Sequence, residues 1–243
     1  MCRMITVPLG LSGRLLVSPF VRMATGMNKL SEYNRELGMY THGHGWGSVL
    51  AGKSEDQTTR SSKPCWDEGE LLGLQDQDVL MLHARMASQG AINLDNVHPF
   101  RALVHGTVWN FCHNGTVNQP LVMPQKLSKA DCTDSETVFH QLLPFLEMGQ
   151  IIEGFRRVYS AIHDFTSLNT LLLGPDALWV VCLYTEMPEY YTLHLTQTER
   201  GPVISSEPIH ELGSQWHTLS NRQILSIDRA SGVIQSFELS LRI

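Results

Sequence analysis

The sequence predicts an α+β fold, in which strands come first, two helices follow and a long run of strands ends the chain. Short apolar runs at 4–7, 79–84 and 104–112 are typical of buried strands. Apolar residues at helical spacing follow in 134–147 and 150–164. Because strands and helices are segregated along the chain, α+β layers are favoured over the alternating βαβ units of a parallel sheet.

The first predicted strands end beside polar residues. The run at 4–7 would carry Cys2 at its tip, and the run at 79–84 would deliver Arg85 at its end. Between them, residues 53–69 are polar and contain a proline and a glycine, so we predict a loop there.

The middle of the chain is predicted to pass from strands to helices. Residues 104–112 form two strands or one bent strand, which ends at the turn signal Asn114-Gly115. Residues 119–132 contain two prolines, and we expect a mobile loop beside a site. The helix over 134–147 contains a proline that can kink it, and a second helix follows. The later runs, separated by turn signals, are predicted as strands at 168–173, 178–184, 191–195, 203–205, 223–227 and 233–239.

Composition limits the classes of function. The 243 residues, 42% of them hydrophobic, suffice for one large domain over residues 1–243. The formal net charge of −6, with few basic clusters, predicts neither a nucleic-acid nor a membrane partner. Five scattered cysteines without a CxxC pair suit a reduced compartment. Polar interruptions argue against an N-terminal signal peptide, and no run reaches the roughly 18 apolar residues of a membrane span. We expect a cytoplasmic protein.

Cys2 is the first candidate for chemistry. Removal of Met1 would place a thiol and a free α-amine on the same residue. An α-amine has a pKa of about 7.7–8.0, so it can accept a proton near neutral pH and activate the neighbouring nucleophile. A cysteine at the second position is more often incidental, and this interpretation therefore needs partners further along the chain.

Such partners follow in a fixed order. They are His44-Gly45-Trp46-Gly47, Lys63-Pro64-Cys65-Trp66, His83-Ala84-Arg85-Met86-Ala87-Ser88-Gln89-Gly90, Asn96-Val97-His98-Pro99-Phe100, Phe111-Cys112-His113-Asn114-Gly115-Thr116, Thr133-Asp134-Ser135-Glu136 and Ser206-Glu207-Pro208. With Cys2, the series resembles the class II glutamine amidotransferases, a branch of the N-terminal-nucleophile hydrolases. It is most similar to their small stand-alone members, which include hydrolases of γ-glutamyl compounds. The resemblance covers essentially the whole chain and implies a four-layer αββα sandwich.

The resemblance also implies roles for particular residues. Cys2 would supply both the nucleophile and, through its amine, the base. The side-chain amide of Asn114 and the backbone N–H of Gly115 would stabilise the tetrahedral oxyanion. Arg85 would bind the α-carboxylate of the substrate and Asp134 its α-ammonium group, which together select a free amino-acid head group. An ordinary Asn-Gly turn is the alternative for residues 114 and 115.

Three further residues are predicted to bind substrate. Ser88 lies where family members often carry a Thr-His or related pair, and Gln89 departs from that pattern, so at 89 we expect a backbone contact at most. Trp46 and Gly47 are predicted to shape a pocket wall, with plain core packing as an equally weighted alternative. His98-Pro99 is interpreted as structural.

No metal and no other cofactor is predicted, because the histidines show no HExxH and no acidic partner at ligand spacing. The substrate is expected to be a small γ-glutamyl compound. Either glutamine is hydrolysed to supply ammonia to a separate synthetase or acceptor subunit, or a larger γ-glutamyl compound is hydrolysed directly. A non-catalytic regulatory subunit that binds glutamine or a γ-glutamyl compound is the alternative. The sequence does not identify the leaving group, whose specificity we assign to the loops 53–69 and 119–132.

Overall fold

Two antiparallel sheets form the centre of the structure, a computed structural model that describes residues 2–28, 40–67, 69–123 and 132–241. In these ranges the strands are β1 Cys2–Ser12, β2 Trp46–Leu50, β3 Gln57–Ser61, β4 Asp78–Arg85, β5 Phe100–Val104, β6 Thr107–Asn114, β7 Asn169–Leu173, β8 Ala177–Cys182, β9 His194–Thr198, β10 Gly201–Ser205, β11 His217–Thr218, β12 Gln223–Asp228 and β13 Ile234–Glu238. The α-helices are α1 Gly13–Ala24, α2 Gly69–Gly73, α3 Asp134–Glu147, α4 Ile151–Ser160 and α5 Pro188–Tyr191. Short 3-10 helices lie at Leu74–Asp76, Leu94–Asn96 and His210–Leu212.

The order of the strands puts the start of the chain in the middle of one sheet. The seven-stranded sheet has the order β11-β9-β10-β1-β4-β2-β3, and the six-stranded sheet has the order β13-β12-β8-β7-β6-β5. Strand β1 pairs antiparallel with β10 on one side and β4 on the other. Cys2 therefore begins a strand that neighbours hold on both sides.

Alternation along the strands produces four layers. Met4 and Leu171 belong to a core between the two sheets, whereas the adjacent Ile5 packs in a second core that includes Leu16 and Phe20 of α1. The side chain after Leu171, Leu172, packs in a third core that includes residues of α3 and α4. Since successive strand residues point to opposite faces, each sheet contributes to the central core and to one outer core. The predicted αββα sandwich is confirmed.

The helix that comes between β6 and β7 in the chain was well specified by the sequence. Helix α3 spans Asp134–Glu147, the bounds that the apolar periodicity predicts. The side chain of Thr133 caps it by accepting a hydrogen bond from the backbone N–H of Glu136 at 3.1 Å. Asp134 and Glu136 lie in its first turn, where negative charge is stabilised by the helix dipole.

The structure differs from the prediction in segment 53–69. Residues 53–69 were expected to form a loop, but β3 lies within them and forms an edge of the seven-stranded sheet. This strand is polar because its side chains are mostly half-exposed, so it lacks an apolar signature. Of the predicted loop 119–132, residues 124–131 lie outside the described residues. Among the described helices, none has both the length and the apolar character needed to cross a membrane.

Candidate active site

A small cleft opens where the start of β1, the end of β4 and the end of β6 meet. The predicted site residues that line it are Cys2, Arg85, Ser88, Gly115 and Asp134. Residues from four separate parts of the chain are thus brought to one place. Neighbouring side chains that the sequence did not assign to the site also line it, namely Met86, Ala87, Gln89, Asn96, His98, His113, Thr133 and Ser135.

Cys2 and Asn114 meet across the two sheets. The backbone nitrogen of Cys2 donates a hydrogen bond to Oδ1 of Asn114 at 2.6 Å. The amide nitrogen Nδ2 of Asn114 is buried and has no hydrogen-bond partner among the residues that the structure describes. A buried donor without a partner costs about 1–3 kcal/mol, so its retention suggests a use that the free protein does not satisfy.

Glycine is required at position 115 by its surroundings. The φ angle of Gly115 is +156°, and a Cβ added there would lie 1.8 Å from the carbonyl oxygen of Ser167. Any side chain would force this backbone apart. The segment after Asn114 therefore passes close to Ser167 at the wall of the cleft, which is not the geometry of an exposed hairpin turn.

Arg85 is held beside Cys2 by strand pairing. The two residues are direct partners in the antiparallel register of β1 and β4, so their side chains share a face. The guanidinium group of Arg85 donates to the carbonyl oxygens of Gln89 at 2.9 Å and Ala91 at 3.0 Å. These two bonds fix the plane of the guanidinium group. Arg85 is only 4% exposed.

Asp134 is fixed from the opposite side of the cleft. It occupies the first position of α3, and its Oδ2 accepts a hydrogen bond from the backbone N–H of Val117 at 2.8 Å. Its Oδ1 lies 3.4 Å from Oγ of Ser135, and because a carboxylate can accept several hydrogen bonds, acceptor capacity remains for a ligand. A cation and an anion thus face the same small cleft.

His113 connects α3 to the segment that follows Asn114. Its Nε2 lies 3.1 Å from the carbonyl oxygen of Ser167 and must carry a proton, because a carbonyl can only accept. Its Nδ1, 2.8 Å from Oγ of Ser135, is then the acceptor in the neutral ring. Burial lowers the pKa of His113, against the opposing effect of Asp134, which agrees with this neutral form.

Two more histidines are stacked in the wall of the cleft. The rings of His83 and His98 have centroids 4.3 Å apart. Burial lowers the pKa of His83 to about 3 and that of His98 well below its usual range. Both rings are therefore neutral near pH 7. Within the described ranges, no group of three His, Cys, Asp or Glu side chains could hold a metal ion.

The sequence comparisons agree with the motifs. Residues 73–187 match the family described as glutamine amidotransferases class-II. This match covers a little less than half of the chain and agrees with the predicted family.

Two curated relatives are named as glutamine amidotransferases. The chain is 31% identical over 96 residues to the "Putative glutamine amidotransferase" of Haemophilus influenzae, covering 39% of the chain and 31% of the relative. It is 27% identical over 107 residues to the "Putative glutamine amidotransferase YafJ" of Escherichia coli K12, covering 42% of each. The matched regions thus span less than half the length of both relatives.

Solved structures support the same fold. The glutamine phosphoribosylpyrophosphate amidotransferase of B. subtilis, complexed with ADP and GMP, matches with a TM-score of 0.70 at 12% identity, over 100% of this chain and 50% of that one. A glutamine aminotransferase class-II domain protein from Silicibacter pomeroyi matches with a TM-score of 0.57 at 15% identity, over 98% and 99%. At these identities the likeness concerns the fold alone.

Ser88 lies at the rim of this amidotransferase cleft. Its Oγ is 2.7 Å from Oγ1 of Thr116, and Nε2 of Gln89 donates to the carbonyl oxygen of Val117 at 2.8 Å. These bonds connect the segment after β4 to the segment after Gly115. Gln89, for which only a backbone contact was expected, uses both its backbone oxygen and its side chain.

The structure does not bring Trp46 to the cleft. Trp46 pairs with Ala84 and packs fully buried in the core beneath α1, on the face of the sheet opposite to Arg85. Of the two interpretations left open by the sequence, core packing fits this position. Gly47 packs against the backbone of His98, a residue that lines the cleft, and a Cβ at position 47 would lie 2.1 Å from the carbonyl oxygen of His98.

Proposed function

We propose that this chain is a cysteine-dependent amidohydrolase that cleaves the γ-glutamyl amide bond of glutamine or of a larger γ-glutamyl compound. The observation that carries the proposal is the double role available to Asn114. Its Oδ1 binds the nitrogen of Cys2 at 2.6 Å, while its buried Nδ2 has no partner among the described residues. One side chain can therefore hold the base and also stabilise the oxyanion.

The first step needs Met1 to be removed. The free amine of Cys2 would still donate one hydrogen to Oδ1 of Asn114, and its lone pair would accept the thiol proton, directly or through a water molecule. The sulfur then bonds to the amide carbon, and the carbonyl electron pair moves to oxygen. Nδ2 of Asn114 and the N–H of Gly115 would stabilise that negative charge.

The second step releases the amine. The protonated amine of Cys2 returns its proton to the leaving nitrogen, the C–N bond breaks, and a γ-glutamyl thioester remains on sulfur. Water, deprotonated by the same amine, then attacks the thioester. Glutamate leaves, and the thiol takes back its proton.

Recognition is assigned to the two charges that face the cleft. Arg85 would bind the α-carboxylate in a bidentate manner, in a plane set by its bonds to the carbonyls of Gln89 and Ala91. Asp134 would bind the α-ammonium group. Ser88 lies at the rim, where it would contact the substrate. In the case of glutamine, the ammonia would pass to a separate synthetase or acceptor subunit.

A hydrolysis panel tests this proposal. Protein whose loss of Met1 has been checked by intact mass is incubated with glutamine, glutathione and other γ-glutamyl amides, and glutamate release is measured. We expect release from at least one substrate, its loss in Cys2→Ala, and its retention in the matched control Cys132→Ser, in which the serine hydroxyl can replace the thiol contact with Glu136. Glutamine or γ-glutamyl binding without turnover by Met1-free protein would instead support a non-catalytic module.

A further inference from the structure

A buried ion pair lies next to the predicted nucleophile, because Arg3 follows Cys2 in β1. Nε of Arg3 is 2.7 Å from Oε1 of Glu207, and the two side chains are only 1% and 5% exposed. The backbone around the pair is also joined, because Ser206 donates to the carbonyl of Met4 at 2.9 Å and its Oγ accepts from the N–H of Met4 at 3.0 Å. The pair thus fastens the first residues of β1 to the segment after β10.

Further polar groups surround the pair. The guanidinium carbon of Arg3 lies 3.9 Å from the centroid of the Tyr190 ring, and Nδ2 of Asn28 donates to Oε2 of Glu207 at 2.9 Å. Tyr190 and Nε2 of His42 are hydrogen-bonded at 2.8 Å. Nδ1 of His42 faces the carbonyl of Ala24 and so carries the ring proton, which makes Tyr190 the donor. His42 is therefore neutral.

Stability alone gives a weak reason for such a pair. A buried ion pair is often no more stabilising than neutral side chains of similar volume, since its desolvation offsets its attraction. The charge of Arg3 nevertheless affects the pKa of two nearby histidines. Burial first, and then the charge of Arg3, lowers the pKa of His194 to about 4 and that of His42 well below its usual range.

We propose that Arg3 and Glu207 are a positioning pair for the amine of Cys2, which holds the start of β1 against Asn114 and whose opposite charges offset one another beside that amine. The inference rests on the proposed function in one respect, because it requires Cys2 to have a free amine. It adds two residues that touch neither the substrate nor the reacting atoms.

The sign of the effect follows from the charges. Glu207→Gln removes a negative charge and keeps the positive charge of Arg3, whose guanidinium stays protonated. An extra positive charge disfavours the ammonium form, so the pKa of the Cys2 amine falls. Arg3→Gln leaves a negative charge and raises that pKa. In the double variant both charges are absent, and the pKa returns to that of the parent protein.

Other titratable groups do not change between these variants. Among the described residues, those around the start of β1 include the thiol of Cys2 itself and, besides Tyr190 and His42, Arg85, Asp134, His83, His98, His113, Cys112 and Tyr191. Burial keeps the three histidines neutral, and it raises the pKa of Cys112 well above its usual range and that of Tyr191 to about 12. All of these residues are the same in every variant, so a difference between the variants reports on Arg3 and Glu207.

The experiment is an NMR titration of Met1-free protein labelled with ¹³C-cysteine, in which the α-carbon and β-carbon shifts of Cys2 are fitted together to separate the protonation of its amine from that of its thiol. We expect Glu207→Gln to lower the pKa by about one unit, Arg3→Gln to raise it, and the double variant to restore it. The exposed control Asp76→Asn should leave it unchanged. Where a hydrolysed substrate is known, the acid limb of kcat should move in the same directions.

Two results would overturn the inference. One is an unchanged amine pKa in every folded single variant, and the other is a double variant shifted as far as a single one, as general loosening of the strand would produce. If Glu207→Gln does not fold, Arg3→Gln tests the same claim with the opposite sign. The titration needs no turnover, so its failure is distinguishable from a failure to hydrolyse γ-glutamyl amides.

Discussion

Replacement of Asn114 separates its predicted role in the reaction from a role in a turn. Asn114→Ala removes the acceptor for the nitrogen of Cys2 and the donor for the oxyanion. Asn114→Asp keeps an acceptor at the same place, but it removes the donor and introduces a negative charge. Both variants lack the donor, so a loss of turnover common to both reports on it, whereas the difference between them reports on the acceptor and the added charge.

The structure sets the expected magnitudes. Loss of one oxyanion donor lowers turnover by about 10²–10³-fold, equivalent to about 2.7–4 kcal/mol. In stability, the alanine variant loses one hydrogen bond worth about 0.5–1.5 kcal/mol but no longer buries an unpaired Nδ2 at a cost of about 1–3 kcal/mol. The two terms oppose each other and differ by about 1 kcal/mol at their midpoints, so the melting temperature should change by about 2–4 °C.

Steady-state kinetics on the best γ-glutamyl substrate and thermal melts check this prediction. Both variants should lose kcat with a much smaller change in KM, because the contact strengthens only as charge develops. The aspartate variant should be at least as impaired as the alanine variant, since its charge repels the oxyanion and favours the protonated amine of Cys2. A turn role predicts the reverse order, with aspartate mild and alanine destabilising. Near-parental turnover in Asn114→Asp would remove Asn114 from the active site.

Three further predictions follow from the geometry. Arg85→Lys and Asp134→Asn should raise KM for γ-glutamyl substrates with little change in melting temperature, because a lysine cannot make the paired contacts of a guanidinium group; unchanged kinetics in both would contradict the assignment. Gly115→Ala should abolish turnover or folding, since its Cβ would lie 1.8 Å from the carbonyl oxygen of Ser167, and a fully active, stable variant would show that this close approach is absent. Trp46→Phe should lower the melting temperature and leave KM unchanged, as expected for a core residue, whereas a raised KM with parental stability would place it at the substrate.

Local pattern was sufficient for much of the fold. The limits of α3 could be predicted because apolar periodicity and a threonine cap agree there. Most later strands were also placed to within a few residues. Helix α1 was missed because it contains Pro19 and begins at Gly13, both of which weaken a helical pattern. Strand β3 was missed because an exposed edge strand needs no apolar residues.

The arrangement of the cleft depends on contacts between distant segments. For Trp46 the sequence left a pocket wall and core packing open, because its face follows from the register that pairs it with Ala84, and a one-residue change of register would reverse that face. The pairing of Cys2 with Arg85, and the burial of Arg3 against Glu207, likewise join strands far apart in the sequence. No local pattern encodes such pairings. The family motifs identified the residues, and the fold supplied their relative positions.

Intact-mass analysis during turnover tests the central claim most directly. Active protein is quenched in acid while it hydrolyses a γ-glutamyl substrate, and the mass of the chain and of its N-terminal peptide is measured. The N-terminal-nucleophile mechanism predicts a chain without Met1 and a γ-glutamyl group on the thiol of Cys2, absent in Cys2→Ala. Full activity from protein that retains Met1, or a γ-glutamyl group on another cysteine, would contradict it.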